Sequence, residues 1–198
     1  MPSISSGYII GYHGCDRKLG LRLINGTDDI KLSANSWDWL GEGIYFWEDD
    51  PARALQYAVE NASGQQKNKT AAITPFVVGA VIDLGKCLNL VEVESQQILT
   101  EAYEGLLELT TIAEEKMPVN KDKNRALDCA VINFVHTSNS RAGKDPYDSI
   151  RCAFPEGEPT FPGSFITDRL HIQLCIRNPE LIKGYFLPKP IAHFNPNL

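Results

Sequence analysis

Gly41-Glu42-Gly43-Ile44-Tyr45-Phe46-Trp47 is the stretch on which the fold of this chain turns. Two glycines permit a tight turn, and the aromatic run behind them predicts a short strand over residues 43–46. Strand alternation sets Tyr45 and Trp47 on one face and Phe46 on the other, so one face offers a flat stacking surface. Asp50-Pro51 then supplies an N-cap and a first-turn proline for a helix running from 51 to about 60, with Ala54, Leu55 and Ala58 on one side.

Toward the N-terminus, Tyr8-Ile9-Ile10-Gly11-Tyr12 is β-rich and predicts a strand over 7–12 that stops at His13-Gly14. An imidazole is thereby placed beside a residue whose backbone a ligand can approach closely. Toward the C-terminus, His171-Ile172-Gln173-Leu174-Cys175-Ile176-Arg177 alternates, so His171, Gln173, Cys175 and Arg177 share a strand face. Polar groups on an otherwise apolar strand face either water or a site.

Further strands are predicted over 75–84, 149–154 and 182–186. A long helix opens at Glu94-Ser95, with Ile98, Leu99, Ala102, Tyr103, Leu106, Leu107 and Leu109 at helical spacing, and another spans 127–135. Residues 61–70, 120–124 and 136–146 are polar and read as exposed loops. Long helices flanking an antiparallel-looking β core, without regular βαβ alternation, predict an α+β fold. Gly41-Glu42-Gly43 is not the dinucleotide fingerprint of a Rossmann sheet, and no phosphate-binding P-loop motif occurs.

A chain of 198 residues, 43% hydrophobic and 22% charged, suits one domain over residues 1–198. No apolar run approaches the roughly 20 residues of a membrane span, and the first residues lack the character of a signal peptide, so a cytoplasmic protein is expected. Cys15, Cys87, Cys129, Cys152 and Cys175 are odd in number and widely spaced, which predicts reduced thiols rather than a disulfide framework or a zinc site. A net charge of −6 provides no general attraction to nucleic acid and leaves a local basic track open.

Taken together, His13-Gly14, the Gly-x-Gly-Ile-Tyr-Phe strand followed by a helix, and a late strand with a polar residue resemble the His-Tyr-Glu type of ADP-ribosyltransferase, the class of diphtheria toxin and the poly(ADP-ribose) polymerases. Tyr147-Asp148-Ser149-Ile150 with the Pro/Gly-rich stretch behind it, and Asn178-Pro179-Glu180-Leu181-Ile182, extend the resemblance from about Tyr8 to Phe186. It implies a split β-sandwich holding NAD as co-substrate, with no metal, and a triad of His13, Tyr45 and Gln173. The departure is Gln173, where polymerising members carry Glu. The resemblance thus implies transfer of a single ADP-ribose to a macromolecular acceptor, either protein or nucleic acid. A compact chain of this kind resembles bacterial toxins of toxin–antitoxin or anti-phage systems, which implies a neutralising antitoxin partner. Two rivals stand beside it: an NAD or ADP-ribose binding module that has lost turnover, and an NAD glycohydrolase.

By the same resemblance, His13 bonds the adenosine-side ribose, Gly14 presents backbone groups to the nicotinamide amide with Tyr12 beside it, and Tyr45 stacks on the nicotinamide. Taken alone, His13 reads as a structural strand-end histidine and Tyr45 as a core aromatic. Tyr57 is either a second stacking ring or a helix-packing residue. Trp37 and Trp39 either wall the cleft or pack, and Ser36 is a ribose or phosphate contact at most. Gln173 can bond a ribose hydroxyl but brings no charge to stabilise the cation that forms as the bond to nicotinamide breaks. Glu156 and Glu158, on an expected loop before the last catalytic strand, either supply the missing carboxylate and a general base or are simply solvated. Arg151, Arg169 and Arg177 meet either a pyrophosphate or exposed acidic partners.

Overall fold

The computed structural model describes residues 7–64 and 74–198. Elements follow in the order β1 (Ile9–Asp16), α1 (Arg17–Ile24), β2 (Ile44–Glu48), α2 (Pro51–Ala62), β3 (Pro75–Ile82), β4 (Cys87–Asn89), α3 (Val93–Ile112), α4 (Ala126–Arg141), β5 (Ser149–Pro159), β6 (Thr167–Ile176), a 3-10 turn (Pro179–Leu181), β7 (Ile182–Phe186) and α5 (Ile191–Phe194). The fold is α+β, with one seven-stranded sheet in the order β4-β5-β6-β2-β1-β3-β7. Every neighbouring pair is antiparallel except β4 with β5, so the sheet is mixed rather than antiparallel throughout.

One junction in this sheet matters for function. The β1–β2 ladder pairs Gly11 with Glu48 and Tyr12 with Trp47, whereas β1 runs beside β3 all the way from Ile9↔Ile82 to Asp16↔Pro75. His13 and Gly14 therefore do not end a strand, as their sequence suggests. They lie inside β1, past the last β1–β2 pair, where β1 parts from β2.

Alternation buries both faces of the sheet. Phe46, Val78, Ile82, Leu174 and Ile176 pack on one side against Leu23 of α1. On the other side α3 and α4 cover Ile150 and Cys175 through Ala102, Val131, Ile132 and Val135. Farther along that same side α2 seats Ala54 against Trp47 and Val77. By the strand registers Tyr45, Trp47, Gln173 and Glu156 belong to this second face. The two helical covers thus leave a gap between them over β2 and β6.

Several expectations change. α1 and the edge strand β4 carry too few periodic residues to announce themselves; α1 is fixed by Asp16, whose carboxylate accepts the Lys18 backbone N–H at 3.2 Å. Residues 136–141, expected as loop, form the last turns of α4. Their Thr and Ser tolerate the helix, Thr137 Oγ1 donating back to the Asn133 carbonyl at 3.0 Å. The Pro/Gly-rich stretch is also no loop: β5 continues through Glu156 to Pro159 against β6. Among the described residues no strand pairs with the outer edge of β5 beyond Arg151, so Pro155 and Pro159 sacrifice no ladder hydrogen bond there. Of the expected 61–70 loop, Asn61 and Ala62 close α2, and 65–70 lie outside the described residues.

His136 is buried under Tyr147, ring centroids 6.0 Å apart and nearly perpendicular, and neither ring nitrogen has a hydrogen-bond partner among the described residues. Burial, with the Arg177 charge nearby, pulls its pKa down to about 4. The unfolded chain then takes up a proton below the ordinary histidine value near 6.5 that the folded protein refuses. Stability should be complete above about pH 6.5 and fall by about 3 kcal/mol as pH drops to about 4. Urea melts of wild type and His136→Phe across pH 4–7 check this; an equal slope in both would show that other groups set the acid limit.

Candidate active site

The gap over β2 and β6 is a cavity of about 600 Å³. Its floor is Tyr45 and Trp47 of β2 and His171 and Gln173 of β6. One wall is Arg53, Tyr57 and Glu60 of α2, and the other is the segment from Lys31 to Trp39 with Lys123 and Asn124. That second wall is held by its own bonds: Ser33 Oγ and the Asn35 backbone N–H donate to Asp38 Oδ2 at 2.7 and 2.9 Å. Trp39 Nε1 donates to the Lys123 carbonyl at 3.0 Å, tying the two segments together.

Where β1 leaves β2, the His13 side chain bridges the gap: Nδ1 donates to the Tyr45 carbonyl at 2.8 Å. A carbonyl can only accept, so the proton sits on Nδ1 and Nε2 is left as an acceptor. Burial lowers the pKa of His13, with the Tyr45 bond opposing, so the ring is neutral at neutral pH. Tyr45 is locked by its hydroxyl, which donates to the Gly41 carbonyl at 2.5 Å and accepts from the Leu40 N–H at 2.9 Å. Gly41 supplies the turn for this anchor with φ +74°, a conformation an L side chain resists. Burial pushes the Tyr45 phenol far up, so it acts as an anchor and a ring surface, not as an acid or base. Trp47 and Tyr57 meet at 5.0 Å between centroids, extending the aromatic surface to α2.

His13, Tyr45, Tyr57 and Gln173 thus line one cavity, as do Trp37, at its mouth, and Trp39. Three expected contacts do not. Tyr12 packs edge-on to Phe186 at 6.0 Å between centroids and leans on the Trp47 cluster. Ser36 is exposed, while its neighbours Ser33 and Asn35 line the wall. Gly14 is buried beneath α2, where its missing side chain makes room for the Ala54 carbonyl.

The two glutamates separate. Glu156 lies in the cavity, bonded through Oε2 to Arg53 Nη2 at 2.7 Å and facing Lys123 Nζ at 3.6 Å. Burial alone would raise its carboxyl, but the Arg53 bond and charge, with Lys123 and His171, hold it below the usual range. A carboxylate kept ionised with both oxygens on cations is a poor proton acceptor. Glu158 is exposed beyond the cavity, and its backbone N–H donates to Asp168 Oδ1 at 3.0 Å. The three arginines read as pyrophosphate or acidic-partner contacts are held by protein groups: Arg151 by Glu48 at 2.6 and 2.8 Å, Arg169 by Glu60 at 3.4 Å, Arg177 by the Glu42 carbonyl at 2.8 Å. Asp148 is structural, accepting from the Lys86 N–H and the Asn178 amide at 2.9 and 3.1 Å.

Arg53 is the site residue that the sequence conceals, while His171 lies on the strand face already read for Gln173. Arg53 sits among alanines on the buried side of α2 and is only 7% exposed. An arginine beside Ala54, on the side of α2 read as buried, was the available signal. Both residues carry buried polar atoms without hydrogen-bond partners among the described residues, as do Trp47 and Gln173. Such atoms are costly unless something polar meets them.

No family model matches the chain, and no solved structure matches it. An uncharacterized protein of Methanocaldococcus jannaschii is 25% identical over 92% of this chain and 90% of its own length. Among the described residues no helix is long and apolar enough to cross a membrane, and no three His, Cys, Asp or Glu are grouped to hold a metal ion.

Proposed function

We propose that the protein is an NAD-dependent mono-ADP-ribosyltransferase of the His-Tyr-Glu type, built on a split β-sandwich. The observation that carries this reading is the convergence of His13, Tyr45, Tyr57 and Gln173, from four different elements, on one cavity at the point where β1 parts from β2. The orphaned polar atoms on the cavity floor fit a ligand rich in hydroxyls and oxyanions.

NAD supplies the labile bond between nicotinamide and ribose. The anchored Tyr45 ring, with Tyr57, provides stacking surfaces. His13 Nε2 accepts from a ribose hydroxyl, and so does Gln173 Oε1, which has no hydrogen-bond partner among the described residues. As the bond breaks, positive charge builds on the ribose. Gln173 brings no charge to it, and Glu156 is neutralised by Arg53, so positioning supplies the rate enhancement. Without a carboxylate at Gln173 to activate an acceptor ribose, one ADP-ribose is transferred and chains do not grow. The acceptor is a macromolecule, protein or nucleic acid; by analogy with other compact transferases the chain acts as a toxin or defence effector with an antitoxin partner. The neutral Gln173 favours one rival, an NAD-binding module without turnover.

Incubation with labelled NAD and whole-cell extract should release nicotinamide and leave discrete labelled macromolecules. Binding without release would establish the module, release without labelling a glycohydrolase, and a ladder of long chains would overturn single transfer.

A further inference from the structure

Among the described residues, unmet donors and unmet acceptors come together where the α2 wall joins the cavity floor. Arg53 is held at the first turn of α2 by its own N–H, which donates to the capping Asp50 carboxylate at 2.8 Å. Its guanidinium lies 5.4 Å from the Trp47 ring centroid and commits Nη2 to Glu156, while Nε and Nη1 are buried without partners. Trp47 is 4% exposed and its Nε1 has no acceptor. Directly across the ladder from Trp47 stands Gln173, whose Oε1 has no donor. Two residues before it, His171 donates through Nδ1 to the Arg169 carbonyl at 2.8 Å, which leaves Nε2 as an acceptor, also unmet.

The charges in the cavity are unevenly committed. Glu156 is on Arg53 and Lys123, Glu60 on Arg169, and Asp38 on Ser33 and Asn35. The guanidinium, with its side chain 8% exposed, keeps donors to spare. A buried cation with free donors calls for an oxyanion, and guanidinium with phosphate is among the strong charge-assisted pairs. Acceptors one register position away call for hydroxyl groups on the same ligand.

We propose that Arg53 and Trp47 form a subsite for a phosphate-type oxyanion, with Gln173 and His171 accepting from hydroxyls beside it, so that the cavity takes a phosphorylated sugar. The transferase reading bears only on the source of that phosphate, the dinucleotide or the acceptor; the subsite itself stands without it. Glu156 is then a positioning residue, which fixes the guanidinium and is not itself a base.

The test is calorimetric titration of the full chain with ribose 5-phosphate and with ribose. Wild type should bind the phosphate ester at least 10-fold more tightly than the sugar. Trp47→Phe removes one donor and keeps the ring, and should weaken ribose 5-phosphate by about 3–10-fold. Arg53→Met alone would strand Glu156, so it is paired with Glu156→Gln; that double variant, checked for a wild-type melting curve, should lose about 10–100-fold and the preference over ribose. Equal affinity for ester and sugar in wild type, or unchanged ester affinity in both variants, would overturn the subsite. With a non-hydrolysable NAD analogue saturating, displacement of ribose 5-phosphate assigns the oxyanion to the dinucleotide and simultaneous binding assigns it to the second reactant; both outcomes uphold the subsite. Ester binding with no nicotinamide release from NAD would retain the subsite and reject the transferase; release without ester preference would do the reverse.

Discussion

Gln173→Glu should raise the rate of nicotinamide release by about 100-fold while NAD affinity changes little. The substitution is isosteric, and the position lies on the cavity floor directly across the strand pair from Trp47. A carboxylate there would face the positive charge that develops on the ribose, and preorganised charge at such a point is worth about 10²–10³ in rate. The new charge would not stand alone, since Arg53 lines the same cavity with unmet donors. Gln173→Ala separates position from charge: it should weaken NAD binding by about 5–10-fold through loss of the hydroxyl contact and gain no rate. Single-turnover release measured under saturating NAD reads the effect. A Glu variant at the wild-type rate would mean that Gln173 does not lie beside the bond being broken, and the His-Tyr-Gln constellation would fail with it.

How far the sequence foretells this arrangement depends on how local each signal is. β2 and α2 are legible because their determinants are adjacent: an aromatic alternation for one, Asp50-Pro51 for the other. The shared face of His171 and Gln173 follows from alternation alone. Pairing is not local, and there the sequence misleads. Nothing within His13-Gly14 reveals that β3 carries the strand on to Asp16 while β2 departs. Prolines that suggest a loop at 155 and 159 are compatible with a strand whose outer edge is unpaired. The roles of Glu156 and Arg53 are hidden for the same reason. In sequence Glu156 reads as a base or a solvated acid and Arg53 draws no reading, until the fold brings α2 over β5 and joins them at 2.7 Å.

That joining also changes the chemistry assigned to the acidic stretch. In sequence, Glu156 and Glu158 are interchangeable candidates for a base. In the fold one is clamped between two cations and the other is outside the cavity, so neither is poised to take a proton from an acceptor. Activation then falls to the acceptor's own nucleophilicity, and to the geometry imposed by His13, Tyr45 and Gln173.

Gly14→Val should cost at least about 3 kcal/mol of stability and abolish ligand binding together, because the residue beneath α2 sets where that helix lies. A Cβ at Gly14 would come within 3.2 Å of the Ala58 backbone nitrogen and much closer, 2.1 Å, to the Ala54 carbonyl oxygen. Both are helix backbone, which has no rotamer to adopt, so α2 must move as a body. Ala54 and Ala58 are fully buried there, and Val77 of β3 beneath them is too, so the movement opens a packed layer instead of an exposed rim. The same displacement carries Arg53 and Tyr57 away from Trp47 and Gln173, which is why stability and binding fall in one step. Gly184→Ala is the counterpart, in an exposed position of β7 where an added Cβ meets nothing within 4 Å, and should shift stability by less than about 1 kcal/mol with binding unchanged. Urea midpoints and calorimetric titration of the NAD analogue read both effects. A Gly14→Val variant that melts and binds like wild type would show that α2 is not seated on β1, and the wall it gives to the cavity would have to be drawn elsewhere.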